Sequence, residues 1–182
     1  MASSLFKYSI VWSGVFLFRL LPWRPPNVEP MLAAVIPFSK RYGIFGSFTF
    51  GFLGIVLYDA VTSGWGSWTW ITAISYGLLG IASHYYFSSR DMTRTHLVTF
   101  GTVATIAYDA VTGLLPGPVL LGQSFSLALS GQIPFTILHL LGTILFSVAL
   151  SPSIYYWIVQ NESLELSKLW MRALLITKSN IQ

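Results

Sequence analysis

The chain has 182 residues, 54% hydrophobic and 9% charged, where an ordinary soluble domain carries about 25% charged residues. So little charge cannot solvate a globule of this size, which excludes a soluble enzyme or nucleic-acid binder and points to an integral membrane protein, in keeping with a mean hydropathy of +0.66. The net charge is +4 and there is no cysteine, so disulfides and thiolate metal sites are excluded, and what matters is where the basic residues fall relative to the apolar spans.

A bilayer core of about 30 Å takes roughly 20 residues of helix. In chain order the spans are Leu5–Trp23, a shorter Val28–Ser39, then Gly43–Ser63, Ser67–Ser88, His96–Leu115 and Ser126–Leu150. The first has a basic start at Lys7 but no small-residue cleavage site after it, so it reads as a retained helix rather than a signal peptide. The second is punctuated by Pro30 and Pro37 and is marginal for a crossing by itself. Backbone at membrane depth must be hydrogen-bonded internally, so all six are expected to be helical. The expected architecture is an all-α bundle of six transmembrane helices over residues 1–152. A tail, 153–182, follows. In it Leu166, Leu169, Trp170 and Leu174 form an apolar stripe among Lys168, Arg172 and Lys178, the pattern of a helix lying on a membrane surface.

The short span decides the topology. If it crosses, Lys7, Lys40, Arg41, Arg90, Arg94, Lys168, Arg172 and Lys178 share one side, eight of the ten basic residues, and Arg19 and Arg24 share the other. The positive-inside rule then puts both termini in the cytoplasm of a multi-pass protein of the cell membrane. If it does not cross, the two groups mix. Most tryptophans fall near span ends, as in an interfacial belt. Small residues recur at four-residue spacing: Ser9 and Ser13, Ser47 and Gly51, Ala73 and Gly77. Such pairs let helices approach closely, within the chain or with a partner.

One pentapeptide occurs twice. YDAVT spans Tyr58–Thr62 and Tyr108–Thr112, and Thr49-Phe50-Gly51 matches Thr99-Phe100-Gly101 at the same offset of fifty. The repeat unit reads as a helix pair, the third and fourth spans and then the fifth and sixth, in parallel orientation as in some transporters. Asp59 and Asp109 are the acidic residues inside the long spans. An ionisable group there is costly unless paired or facing a polar cavity, so a ligand contact is one expectation. Capping of the following loop amides is the other.

These features together resemble the substrate-binding (S) components of energy-coupling factor transporters, which take up vitamins and other trace nutrients. The resemblance runs over residues 5–152. It is carried by six short helices, by a first helix with Ser9 and Ser13 before the proline-rich RLLPWRPPNVEP, by GFLGIVLYDAVTSG, and by the late helix GQIPFTILHLLGTILFSVALSP. It implies high-affinity binding of a small nutrient at the outer face, under the loop after the first helix and among the fourth to sixth. It also implies a transmembrane coupling subunit and two cytoplasmic ATP-binding-cassette ATPases as partners, with the S component toppling to release cargo. The family's first-helix small residues contact the coupling subunit, and Ser9 and Ser13 stand in those places here, where alanine is frequent.

The residues point to the same end of the molecule. Arg19, Arg24, Asn27 and Glu29 precede the second span, Trp65 and Trp68 follow the third, and Gln123 and Gln132 flank the start of the sixth. Ligand sites combine aromatic walls with a few placed polar groups. The expected substrate contacts are therefore Arg24, Asn27, Glu29, Asp59, Trp65, Trp68, Asp109, Gln123, Gln132 and His139. Each has a plainer role available: Arg19 snorkelling to headgroups, Arg24 pairing with Glu29, Gln132 bonding a neighbouring helix, His139 packing with one hydrogen bond. The two arginines hint at an anionic ligand and the aromatics at a ring.

No GxxxxGK[ST] loop or HExxH is present, so the chain carries no ATPase or zinc-protease motif, and no cofactor or metal is expected. A serine in SGWGS with His139 as base would make an intramembrane protease, but nothing in the sequence brings them together. PWRPPNVEP also invites comparison with the five-helix tryptophan-rich sensory proteins, against which the sixth span and the repeat argue. The alternative to transport is a polytopic membrane protein of another kind, a small embedded enzyme or an assembly scaffold.

Overall fold

The computed structural model describes residues 2–171, and every regular element among them is helical. Helix α1 spans Ala2–Arg19, α2 Met31–Val61, α3 Ser67–Phe87 and α4 Arg94–Asp109. A π-helical turn, Ala110–Leu114, carries α4 into the short α5, Pro116–Leu121. Then come α6, Phe125–Ala149, α7, Ser151–Ile154, a second π-helical turn, Tyr155–Val159, and a 3-10 turn, Glu162–Leu164. Three stretches are long and apolar enough to cross a membrane: Met31–Val61, Arg94–Leu121 and Phe125–Ala149. Their outer faces carry exposed Leu57, Val103, Ile106, Leu141 and Leu145, and α3 adds Ile74 and Leu78, a surface suited to hydrocarbon rather than water.

Helix α2 is not one rod. Gly43 has φ 67° and ψ −172°, a region that essentially only glycine enters. There the chain folds back. In a straight helix Phe38 and Phe50 would stand about 18 Å apart, yet their rings stack at a centroid distance of 4.2 Å. The two arms, residues 31–42 and 44–61, therefore form a helical hairpin. The segments expected at Val28–Ser39 and Gly43–Ser63 are these arms.

The first arm is the centre of the bundle. Met31 to Ser39 are all buried, as expected of a helix apolar on every face. Tyr8 of α1 packs edge-on against Phe38, Tyr42 and Phe50 and donates its hydroxyl to Gly46 O at 2.8 Å. Pro37 has no N–H for Ala33 O. That carbonyl accepts instead from Ser151 Oγ at 2.7 Å, which pins the end of α6 to the core. Ser39 Oγ meets Ser83 Oγ at 2.7 Å, and Ser39 O meets His84 Nδ1 at 2.9 Å.

The small residues of α2 and α3 face each other inside the chain. A side chain on Gly51 would strike the Tyr76 backbone, and one on Gly80 the Ser47 backbone. The pairs Ser47/Gly51 and Ala73/Gly77 are thus spent on intramolecular packing. Ser9 and Ser13 are exposed. The chain does not leave the bundle at Pro152: Val159 is fully buried, and its carbonyl accepts from the buried Lys7 Nζ at 2.8 Å. Of the amphipathic tail, Trp170 is exposed, and Arg172, Leu174 and Lys178 lie outside the described residues.

Candidate functional site

One end of the bundle gathers the ends of several elements. Here α1 stops at Arg19, α2 stops just beyond Asp59, α3 starts with Trp68 and Thr72 above Tyr76, and α4 approaches its end at Tyr108. Phe135 and His139 reach in from α6. The connection 20–30 lies across them. Asn27 turns within it at φ 63°, a left-handed conformation that asparagine tolerates better than most residues. Together these residues enclose a polar cavity of about 380 Å³, lined by Arg19, Arg24, Pro26, Asn27, Glu29, Ile55, Asp59, Trp68, Thr72, Tyr76, Tyr108, Phe135 and His139. Ligand sites commonly run from about 300 to 1,000 Å³. The opposite end holds the basic residues, with Lys40 Nζ donating to Arg90 O at 2.7 Å and lying 3.7 Å from Asp91.

The connection is held by charge. Arg19 Nε lies 3.1 Å from Glu29 Oε2, and the guanidinium sits 3.8 Å over the Tyr58 ring. The ion pair is close but its angle is not that of a hydrogen bond, and Arg19 NH1 has no hydrogen-bond partner among the described residues. The other Glu29 oxygen accepts from Tyr76 Oη at 2.8 Å. Arg19 therefore does not snorkel, and it is Arg19, not Arg24, that pairs with Glu29. Arg24 spends one nitrogen on Val28 O at 3.4 Å, and its buried Nε has no hydrogen-bond partner among the described residues. The Asp59 carboxylate has neither ion pair nor hydrogen bond among the described residues. It is the Asp59 main-chain oxygen that receives the N–H groups of Thr62 and Gly64 and closes the helix.

Asp109 is placed otherwise. It is 1% exposed, and its Oδ1 lies 2.8 Å from His139 Nδ1. This contact fixes the imidazole with Nε2 as its remaining polar atom, in a ring that lines the cavity, the arrangement in which a carboxylate orients a histidine. Asp109 stands behind the cavity wall, and its Oδ2 has no hydrogen-bond partner among the described residues. Neither aspartate caps its following loop.

The cavity thus brings together six of the ten expected contacts: Arg24, Asn27, Glu29, Asp59, Trp68 and His139. Asp109 touches it through His139. Trp65 is outside, exposed, with its indole donating to Val56 O at 3.0 Å. Gln123 is exposed beside Gly117. Gln132 lines a separate concavity of about 250 Å³ with Asp109. It bonds Thr136 in its own helix at 3.2 Å rather than a neighbouring helix. Sequence reasoning missed Tyr76, Tyr108, Thr72 and Phe135. Tyr108 had a signal in its repeat, Phe135 in the proline before it; Tyr76 and Thr72 had none. Ser9 and Ser13 line another concavity of about 560 Å³, an apolar groove between α1 and the second arm of α2.

Chemically the cavity offers two guanidiniums, two carboxylates, an oriented imidazole and aromatic walls. No serine lines it, and the Thr72 hydroxyl is already donated to the carbonyls of Trp68 and Thr69. The base–orienter pair therefore faces no free aliphatic hydroxyl, and the serines of SGWGS are not at His139. Among the described residues no three His, Cys, Asp or Glu side chains converge as a metal site. The site has to be read from this geometry, because the chain matches no family model, no curated protein and no solved structure.

Proposed function

We propose that the chain binds a small nutrient from outside the cell and hands it to an ATP-driven uptake machine, as the S components it resembles do. The observation that carries this reading is the polar cavity of about 380 Å³ at one end of an otherwise apolar bundle. A cavity lined by costly charged groups at membrane depth has a use. No aliphatic hydroxyl in the lining is free for His139 to activate, which favours binding over serine-type hydrolysis. In this reading the α2 hairpin supplies two crossings, six in all. Both termini and the basic end lie in the cytoplasm, the cavity opens outward, and the pairs α2 second arm with α3 and α4 with α6 are parallel repeats. Ser9 and Ser13 face a coupling subunit from the apolar groove, and two ATPases drive the cycle.

Native mass spectrometry of the chain, purified gently from its own host, tests the function. A bound vitamin-sized mass with a coupling subunit and ATPases in the same preparation is the expected result. An empty chain without ATPases, still empty after supplying candidate vitamins, would move the reading to a scaffold or enzyme. The chain is naturally free of cysteine, so single cysteines introduced at Ser63 and Ser89 report topology. A membrane-impermeant thiol reagent is expected to label the first from outside and the second only after lysis.

A further inference from the structure

We propose that the cavity selects a dipolar ligand, one whose anionic group meets Arg24 while a cationic or N–H-donating group meets Asp59. The inference rests on the binding reading above and deepens it. Two arginines at the cavity would by themselves favour an anion. The geometry removes one of them, because Glu29 occupies Arg19 at 3.1 Å. That leaves one cation and one carboxylate unpaired across a single space. Both line the cavity, yet no ion pair within 4 Å joins them. With Arg19 matched by Glu29, the two guanidiniums and two carboxylates of the lining leave no excess of either sign. A ligand of one charge would satisfy one wall and leave the other buried and unpaired; a ligand with both ends satisfies both.

Asp59 makes the argument sharper. It lies in the last turn of α2, whose C-terminal carbonyls already concentrate negative charge. Among the described residues no hydrogen bond and no ion pair within 4 Å reaches its carboxylate, and it closes no loop with its side chain. An aspartate so placed destabilises the empty protein and is accounted for by a cation that arrives with the ligand. Trp68, Tyr108 and Phe135 supply the apolar faces between the two ends, which a planar ring fills.

The test uses the full chain in detergent, loaded with the dialysable small-molecule fraction of its host. The captured compound is released and run on a strong cation exchanger at acid pH and a strong anion exchanger at alkaline pH. Retention by both is expected; retention by only one overturns the inference while leaving the binding reading intact. A chain that captures nothing sinks the binding reading, and this inference with it. In parallel, Arg24→Gln and Asp59→Asn are each expected to weaken capture about ten- to hundredfold. Asp59→Asn is also expected to raise the melting temperature of the empty chain, the opposite of what a structural aspartate would do. A lowered melting temperature with capture unchanged would overturn the role given to Asp59.

Discussion

The two copies of YDAVT have the same five side chains and opposite orientations toward the cavity. In the first, Asp59 lines the polar cavity while Tyr58 faces the apolar groove beneath Arg19. In the second, Tyr108 lines the polar cavity, 4.7 Å from the Tyr76 ring, while Asp109 is turned away and buried against His139. Adjacent residues on a helix point about 100° apart, so a modest difference in how the helix is rotated exchanges which of the pair faces inward. The continuations differ too. The first copy ends its helix at Val61, whereas the second runs on through a π-helical turn into α5. A π-helical turn of this kind often accompanies a functional site. A repeated motif thus conserves local geometry, while the neighbours decide which side chain does what.

The largest effect separating the copies is expected at the aspartates. Asp109→Ala leaves His139 buried without its partner and should cost about 3–5 kcal/mol of stability, whereas replacing both Asp109 and His139 with leucine should recover most of it. Asp59→Asn is expected to stabilise the empty chain instead. Thermal unfolding of the purified variants in one detergent measures all three, and equal losses at both aspartates would erase the distinction.

Next come the matched glycines one helix turn or more upstream. A methyl on Gly51 would strike the Tyr76 backbone, which cannot move without shifting α3. A methyl on Gly101 would sit 3.0 Å from Thr143 Cγ2, a side chain that can give. Gly51→Ala is expected to destabilise by about 3 kcal/mol and Gly101→Ala by less than about 1 kcal/mol. A larger loss at Gly101 would mean that α4 and α6 pack as rigidly as α2 and α3.

The smallest contrast lies in the threonines. Thr62 Oγ1 donates to Tyr58 O at 2.8 Å and Thr112 Oγ1 to Tyr108 O at 2.9 Å, so the bond is shared. Thr62 is exposed and Thr112 is 5% exposed. Alanine at 62 should be silent, while alanine at 112 should cost about 1 kcal/mol. Unfolding in the same detergent reads both.

Much of this frame was legible in the residues, and the limits follow from physics. Apolar run lengths located the helices to within a few residues, because a helix that meets hydrocarbon must be apolar along its length. The hairpin was legible from Pro37, Gly43 and the Lys40-Arg41 pair between two apolar stretches. The end of the bundle that holds the cavity was legible because polar residues in such a chain collect where helices end. Pairing was not. Arg19 and Arg24 stand five positions apart at the end of α1, and which of them meets Glu29 depends on how the connection folds over Tyr58 and Tyr76. Asp109 and His139 are thirty residues apart on two helices whose relative rotation no local pattern encodes. Tyr76 looked like any other aromatic in an apolar span until Glu29 was found at its hydroxyl.

The fold-back at Gly43 has a consequence for the order of events during biogenesis. The first arm is about 18 Å long, too short to reach across a hydrocarbon core of about 30 Å without help, and in the finished bundle it touches its neighbours on every face. It has no stable existence alone in lipid. Its nearest partner is the second arm, which follows it after a single residue, so the hairpin is expected to close early, with little chain to organise. A side chain at Gly43 would touch nothing in the native bundle, since no atom lies within 4 Å of that position. The positive φ would nonetheless strain a side chain there for as long as the hairpin stays closed, so a substitution is expected to lower both the yield of inserted protein and the melting temperature of what does insert.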